Sequence, residues 1–262
     1  MSALNVAIVQ SYLYWHDPLR NIEQFSSVLQ AHNEPVDLFV LPEMFTTGFS
    51  MHATTHAERM DGRGVRWMSD TASSLRTALC GSLIIEEDGH YYNRFILMRP
   101  DGEFACYDKR HRFRLAGEHE NYSAGNEVVS IELNGWRIRP MVCYDLRFPV
   151  WSRNRNDYDL LIYVANWPDR RHLAWETLIR ARAIENLAYV AAVNRIGTDG
   201  NGIDYLGGSA IIDYLGQDLA AASSGTAVMS ATLEKAPLET FREKFPFHLD
   251  ADPFTIIDQK AR

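Results

Sequence analysis

The chain is expected to fold as an α/β protein with its sheets inside and its helices outside. Three observations predict this. Short apolar runs alternate with helical patterns at both ends of the chain. Runs such as "DLLIYVAN" (159–166) are apolar at nearly every position, as strands are when both faces are covered. In the middle, strand patterns outnumber helical ones, so the sheets must stack in layers. No repeat, low-complexity linker or other break divides the 262 residues, which suit one domain over 1–262 with a C-terminal tail from about 234.

"LNVAIVQ" (4–10) is an apolar, partly alternating first strand. A helix follows, with Asp17 as its N-cap and Pro18 at its first position, and with Leu19, Ile22, Phe25 and Leu29 at helical spacing. "VDLFVLPE" (36–43) is a second strand. Residues 65–77 form a helix with Val65, Met68, Ala72 and Leu75 on one face. "ALCGSLIIEE" and "YYNRFILMRP" are strands joined by an Asp88-Gly89 turn. Asp101-Gly102 turns into the strand "EFACYDK", and Asn134-Gly135 centres a hairpin that leads to "RPMVCYD". The βα rhythm then returns. A strand over 159–168 precedes a helix over 170–186, with Leu173, Leu178, Ala181 and Ile184 as its periodic face. Two more strands, "AYVAAVNR" and "GGSAIIDYLGQ", follow. From Ala231 the chain turns polar, with a helix at "PLETFREKF" and then the tail.

Composition excludes several functions. The net charge of −8 comes without a long basic run, so neither nucleic acid nor an anionic membrane is an expected partner. The most basic stretch, Lys109 to Arg114, could hold one small anion. The three cysteines, Cys80, Cys106 and Cys143, form no CxxC pair, so a disulfide framework or zinc knuckle is not expected. The first residues lack a signal-peptide pattern and no run is long enough to span a bilayer, which points to the cytoplasm. His52 and His56 are four apart but lack an HExxH acid, and His111 and His119 with Glu118 or Glu120 are an equally weak metal set. "GTDGNG" lacks the context of a dinucleotide loop.

Four polar groups fall at or just after strand ends, where α/β sheets gather their ligands: Glu43, Lys109, Cys143 and Asn166. A carboxylate can take a thiol proton, and an ammonium can lower a thiol pKa and hold developing negative charge. Each residue also has an ordinary reading. Cys143 could be a small hydrophobe ending a buried strand, Glu43 a loop acid, Lys109 part of a surface patch, and Asn166 a turn cap. Spacing alone leaves both readings open.

The motifs themselves go further. "LPEMFTTGF", "YDKRHRF" and "VCYDLRFP" occur in this order, "GEHENYSAGN" lies between the second and third, and "VANWP" and "RARAIENLAYVAAVNRIG" follow. The chain resembles the nitrilase (carbon–nitrogen hydrolase) superfamily over nearly its whole length, and within it the bacterial ω-amidase branch. The resemblance implies a four-layer αββα sandwich of the nitrilase type that forms a homodimer and uses neither a metal nor an organic cofactor. It implies Cys143 as nucleophile, Glu43 as base, Lys109 as oxyanion partner together with the Tyr144 N–H, and Glu118 as a second acid that orients Lys109 or the substrate amide. The substrate is then a small linear amide, such as the ω-amides of 2-oxo dicarboxylates (2-oxoglutaramate, 2-oxosuccinamate). These would be cleaved to the acid and ammonia through a thioester. Arg147 and His119 are candidates for the substrate carboxylate, because an arginine fork binds both oxygens. Phe45 and Trp167 are candidates for an apolar wall. Rival readings are an N-carbamoyl-amide hydrolase or nitrilase of the same superfamily, a thiol-redox protein that pairs Cys143 with Cys106, and a non-catalytic scaffold.

Overall fold

Alternation along the first strand sets the layers. In β1 (Ala3–Gln10), Val6 and Ile8 point to one side and Ala7 and Val9 to the other, and all four are fully buried. A computed structural model describes residues 3–222 and 224–257. The remaining strands are β2 (Leu38–Val40), β3 (Ala78–Glu87), β4 (His90–Met98), β5 (Phe104–Asp108), β6 (Ile131–Leu133), β7 (Trp136–Val142), β8 (Leu160–Ala165), β9 (Tyr189–Asn194), β10 (Ile196–Thr198), β11 (Asp204–Leu206), β12 (Ala210–Ile212), β13 (Asp218–Ala221) and β14 (Ala227–Glu234).

Two mixed six-stranded sheets result, in the orders β14-β1-β2-β3-β4-β5 and β13-β12-β9-β8-β7-β6. Each has a parallel centre, β1-β2-β3 in one and β7-β8-β9 in the other, flanked by antiparallel strands. Ala7, Val9, Phe39 and Leu79 pack under the helices Pro18–Gln30 and Arg63–Leu75 through Phe25, Leu29, Val65 and Met68. Val6, Ile8, Val40, Cys80 and Leu97 face the other way and share a core with the second sheet. Trp175, Ile179 and Ala183 of helix His172–Asn186 join that core. The architecture is the expected α/β sandwich. The hairpin turns are also as expected. Asp88-Gly89 and Asn134-Gly135 place both residues at positive φ, as a two-residue hairpin requires.

Several expectations need correction. The second strand is shorter than 36–43, because the chain leaves the ladder after Val40 to turn through Glu43. Helix His172–Asn186 is rotated from its expected face, leaving Leu173 78% and Ile184 49% exposed. Its inward face carries Arg182, which donates to the Leu146 carbonyl (2.6 Å), and Asn186, which accepts from the Asn154 N–H (2.8 Å). These paired polar residues interrupt the apolar period that was read from sequence. Leu19 is likewise exposed, while Asn21 is buried and ties Tyr14 to Thr46. The chain is not merely polar after Ala231. β14 continues to Glu234 as the sheet edge beside β1, and its half-exposed side chains give a weak pattern. The expected C-terminal helix is Lys235–Lys244. It docks through Leu238 and through Arg242, which reaches Asp159 (2.8 Å). Residues 258–262 of the expected tail lie outside the described residues.

Candidate active site

The parallel strands end on a common edge. Cys143 directly follows β7, Asn166 directly follows β8, and Glu43 lies three residues beyond β2. Lys109 follows β5 and reaches the same place. Two of these positions are sharp turns. Cys143 has φ 43° and Met44, next to Glu43, has φ 44°, a region that costs a non-glycine residue about 1–3 kcal/mol unless its surroundings hold it. Ser82 holds the Met44 turn by accepting the Met44 N–H at 2.9 Å.

Lys109 is the hub. Its Nζ donates to Glu43 Oε1 (2.9 Å) and to both oxygens of Glu118 (2.9 and 3.0 Å). All three side chains are essentially fully buried. Asn93 donates to Glu43 Oε1 (2.7 Å) and Glu118 Oε1 (3.3 Å), and Ser82 fixes the Asn93 oxygen (2.8 Å). The second Glu43 oxygen accepts the Asn166 backbone N–H at 2.9 Å, and the Asn166 amide donates to the Glu43 carbonyl at 2.6 Å. The Cys143 thiol points at the Asn166 carbonyl, 3.8 Å away. The structure therefore brings Glu43, Lys109, Glu118, Cys143 and Asn166 together.

Lys109 lowers the Cys143 thiol pKa, as expected of an ammonium, but does not set the net direction. Burial pushes the Cys143 thiol well up, the Glu43 charge adds to this, and Lys109 only partly offsets them. Burial likewise pushes the Glu118 carboxyl up, opposed by Lys109 and aided by Glu43. Burial alone would push Lys109 down, but the two carboxylates outweigh it and hold the ammonium charged.

Cys143, Lys109 and Asn166 open onto a cavity of about 310 Å³, a size suited to a small ligand. Tyr144, Arg147 and Trp167 line it, with the Arg147 guanidinium 4.9 Å from the centre of the Trp167 ring. Phe45 does not line it. That ring is buried in the first sheet's core against Phe25 and Trp67. Phe49, four residues on, supplies the wall instead. His119 also lies off the cavity, with Nε2 3.8 Å from Glu120. His52 and His56 meet His16 rather than an acid; the His16 and His56 ring centres are 3.9 Å apart. Among the described residues no cluster of His, Cys, Asp or Glu is grouped to hold a metal ion. Cys106 packs toward the helix-covered side of the first sheet, away from Cys143 in the inter-sheet core, and all three cysteines are free.

Sequence reading missed several parts of the site. Asn93 is a lone amide in the apolar run "YYNRFILM", which was the available clue. The "GTDGNG" segment, dismissed as a nucleotide loop, is a cavity wall. Asp199 shapes it by accepting the Asn201 and Ile203 N–H groups (2.8 and 3.0 Å) and the Tyr205 hydroxyl (2.9 Å). Asp145, two residues past the thiol, is fully buried behind it. Its carboxylate accepts from Tyr107 OH (2.8 Å), Val142 N (3.0 Å) and His111 N (3.0 Å), and contacts the His111 ring at 2.8 Å. The bond to Val142 pins the residue that enters the strained Cys143 turn. Asp145→Asn replaces one acceptor with a donor facing donors. It should destabilise the protein by about 2–4 kcal/mol and lower kcat. Urea unfolding alongside turnover checks this, and a stability change within ~0.5 kcal/mol would remove Asp145 as the brace.

A thiol, an ammonium and two carboxylates gathered at the strand ends of an αββα sandwich make the architecture of a carbon–nitrogen hydrolase. Residues 5–243 match the family model described as Carbon-nitrogen hydrolase, and the chain belongs to that family of hydrolases. It is 47% identical to Omega-amidase YafV of Escherichia coli, over 98% of this chain and 100% of that one. It is 30% identical to 2-oxoglutaramate amidase of Bacillus subtilis, over 92% and 95% of the two chains. The crystal structure of XC1258, a CN-hydrolase superfamily protein of Xanthomonas campestris with an arsenic adduct in the active site, superposes with a TM-score of 0.95 at 45% identity. That match covers 98% of this chain and 100% of that one.

Proposed function

We propose that the protein is an ω-amidase that hydrolyses the terminal amide of small 2-oxo dicarboxylate monoamides, 2-oxoglutaramate and 2-oxosuccinamate, to the dicarboxylate and ammonia. The observation that carries the reading is the Lys109 hub. One buried ammonium binds Glu43 and Glu118 beside a thiol that opens onto a small cavity with a cationic mouth. The likeness to Omega-amidase YafV and 2-oxoglutaramate amidase supports the substrate class.

In this reading Glu43 takes the Cys143 proton as sulfur attacks the amide carbon. The oxyanion is held by Lys109 Nζ and by the Tyr144 N–H, which lies in the first turn of the 3-10 segment Cys143–Arg147 and so has no intrahelical acceptor. Glu118 orients Lys109. Glu43 returns its proton to the amide nitrogen, the C–N bond breaks, and ammonia leaves a thioester. Water then gives a proton to Glu43 and attacks. The C–S bond breaks, sulfur recovers the proton, and the acid is released. We read the protein as a cytoplasmic homodimer. Three free cysteines suit a reducing compartment, and Leu173 and Ile184 stand exposed on the outside of helix His172–Asn186.

The test is ammonia release from the two oxo-acid amides, set against glutamine, N-carbamoyl amino acids and simple nitriles. The expected result is a higher kcat/KM for the oxo-acid amides than for every other compound. A preference for a nitrile or an N-carbamoyl compound would overturn the reading.

A further inference from the structure

The cavity wall carries an uncompensated cluster of charge. Arg147, Arg170 and Arg171 all line it, and among the described residues none of the three has a carboxylate partner. The acid on that wall, Asp199, is spent on its own loop. Burial, and then the charges of Arg170 and Arg147, push Arg171 down from the ordinary arginine range. Three like charges around one small space favour an anion between them.

The three are not equivalent. Arg147 and Arg170 are exposed, and the Arg147 guanidinium lies against the Trp167 ring. Arg171 is half-buried and held at both backbone groups. Its carbonyl accepts the Trp167 indole N–H (2.8 Å), and its N–H donates to the Pro168 carbonyl (3.0 Å). Its guanidinium is carried over the Phe113 ring, 5.1 Å from the centre. This places a planar donor fork on the cavity wall beside the Phe113 ring, with the backbone that carries it held in place.

We propose that Arg171 binds the substrate carboxylate in a forked ion pair and is the residue that selects anionic over neutral amides. Arg147 and Arg170 contribute only to the surrounding field. The assignment rests on the ω-amidase reading above. The experiment compares 2-oxoglutaramate with neutral pentanamide in the wild type and in Arg171→Gln, Arg171→Lys, Arg147→Gln and Arg170→Gln, with thermal melts confirming the fold. Arg171→Gln should raise KM for 2-oxoglutaramate about 30- to 300-fold with a far smaller change in kcat, as loss of a charge-assisted pair requires. Pentanamide should be affected much less, and lysine should restore part of the loss. Arg147→Gln and Arg170→Gln should each cost under about 10-fold, as solvent-screened charges do. Equal losses on both amides in Arg171→Gln, or a larger selective loss in Arg147→Gln, would overturn the assignment alone. A wild type that does not prefer 2-oxoglutaramate to pentanamide would instead sink the ω-amidase reading.

Discussion

Cys143→Ala should lose ammonia release almost completely, with kcat/KM falling by at least about 10⁴-fold, because Cys143 is the one thiol among the described residues that line the cavity. The fold should survive the change. The thiol is a small group at the cavity wall, and its neighbours Val142 and Leu146 stay packed in the inter-sheet core. Wild-type protein mixed with a slow substrate and quenched in acid should carry one acyl group, and peptide mass spectrometry should place it on Cys143. Burial and the Glu43 charge push the Cys143 thiol up while Lys109 partly opposes them, so the proton has to be taken as sulfur attacks. Residual turnover near wild type in the alanine variant, or an acyl group on Cys80 or Cys106, would remove the nucleophile assignment.

The parts of this site that were legible in the sequence share one property: each lies at the end of a periodic element. Cys143, Asn166 and Lys109 directly follow strands, and the apolar runs before them point to where they sit. Glu43 is three residues further on, yet the motif around it was distinctive. Of the cavity wall, Tyr144, Arg147 and Trp167 were legible because they adjoin those strand ends. The rest comes from the segments around Phe49, Phe113, Arg171 and Tyr205, which are far apart in sequence and lack periodicity. Phe45 and Phe49 show the difficulty. Both follow Glu43 in one short segment, and its turns at Met44 and Gly48, both at positive φ, separate the ring that enters the core from the ring that lines the cavity. The same limit applies to helix His172–Asn186. Its inward Arg182 and Asn186 each have a partner in a distant segment, the Leu146 carbonyl and the Asn154 N–H, which local pattern does not reveal.

Lys109→Met should damage both activity and stability, and the two effects can be separated. Removing an oxyanion donor costs about 100- to 1000-fold in rate. Loss of the ammonium also leaves Glu43 and Glu118 buried beside each other, hydrogen-bonded by the neutral donors Asn93, Asn166 N–H and Phe113 N–H. Breaking such a buried pair from one side costs about 3–5 kcal/mol. The pH dependence follows from Glu118. Burial and the Glu43 charge already raise its carboxyl in the native protein, with Lys109 opposing them. Without Lys109 the folded-state value rises further above the unfolded one, so the native state binds the proton more tightly than the unfolded chain. The stability deficit of Lys109→Met is then greatest above the folded-state value. It shrinks as pH falls through that value toward the ordinary carboxyl range. Adding Glu118→Gln to Lys109→Met removes one of the two like charges. The double variant should recover much of the lost stability at neutral pH while its rate stays at least about 100-fold down. Urea midpoints across pH, measured beside turnover, distinguish the two contributions. A Lys109→Met protein as stable as wild type at neutral pH would show that the buried carboxylates do not depend on the ammonium. A rate loss below about 10-fold would take Lys109 out of the oxyanion site.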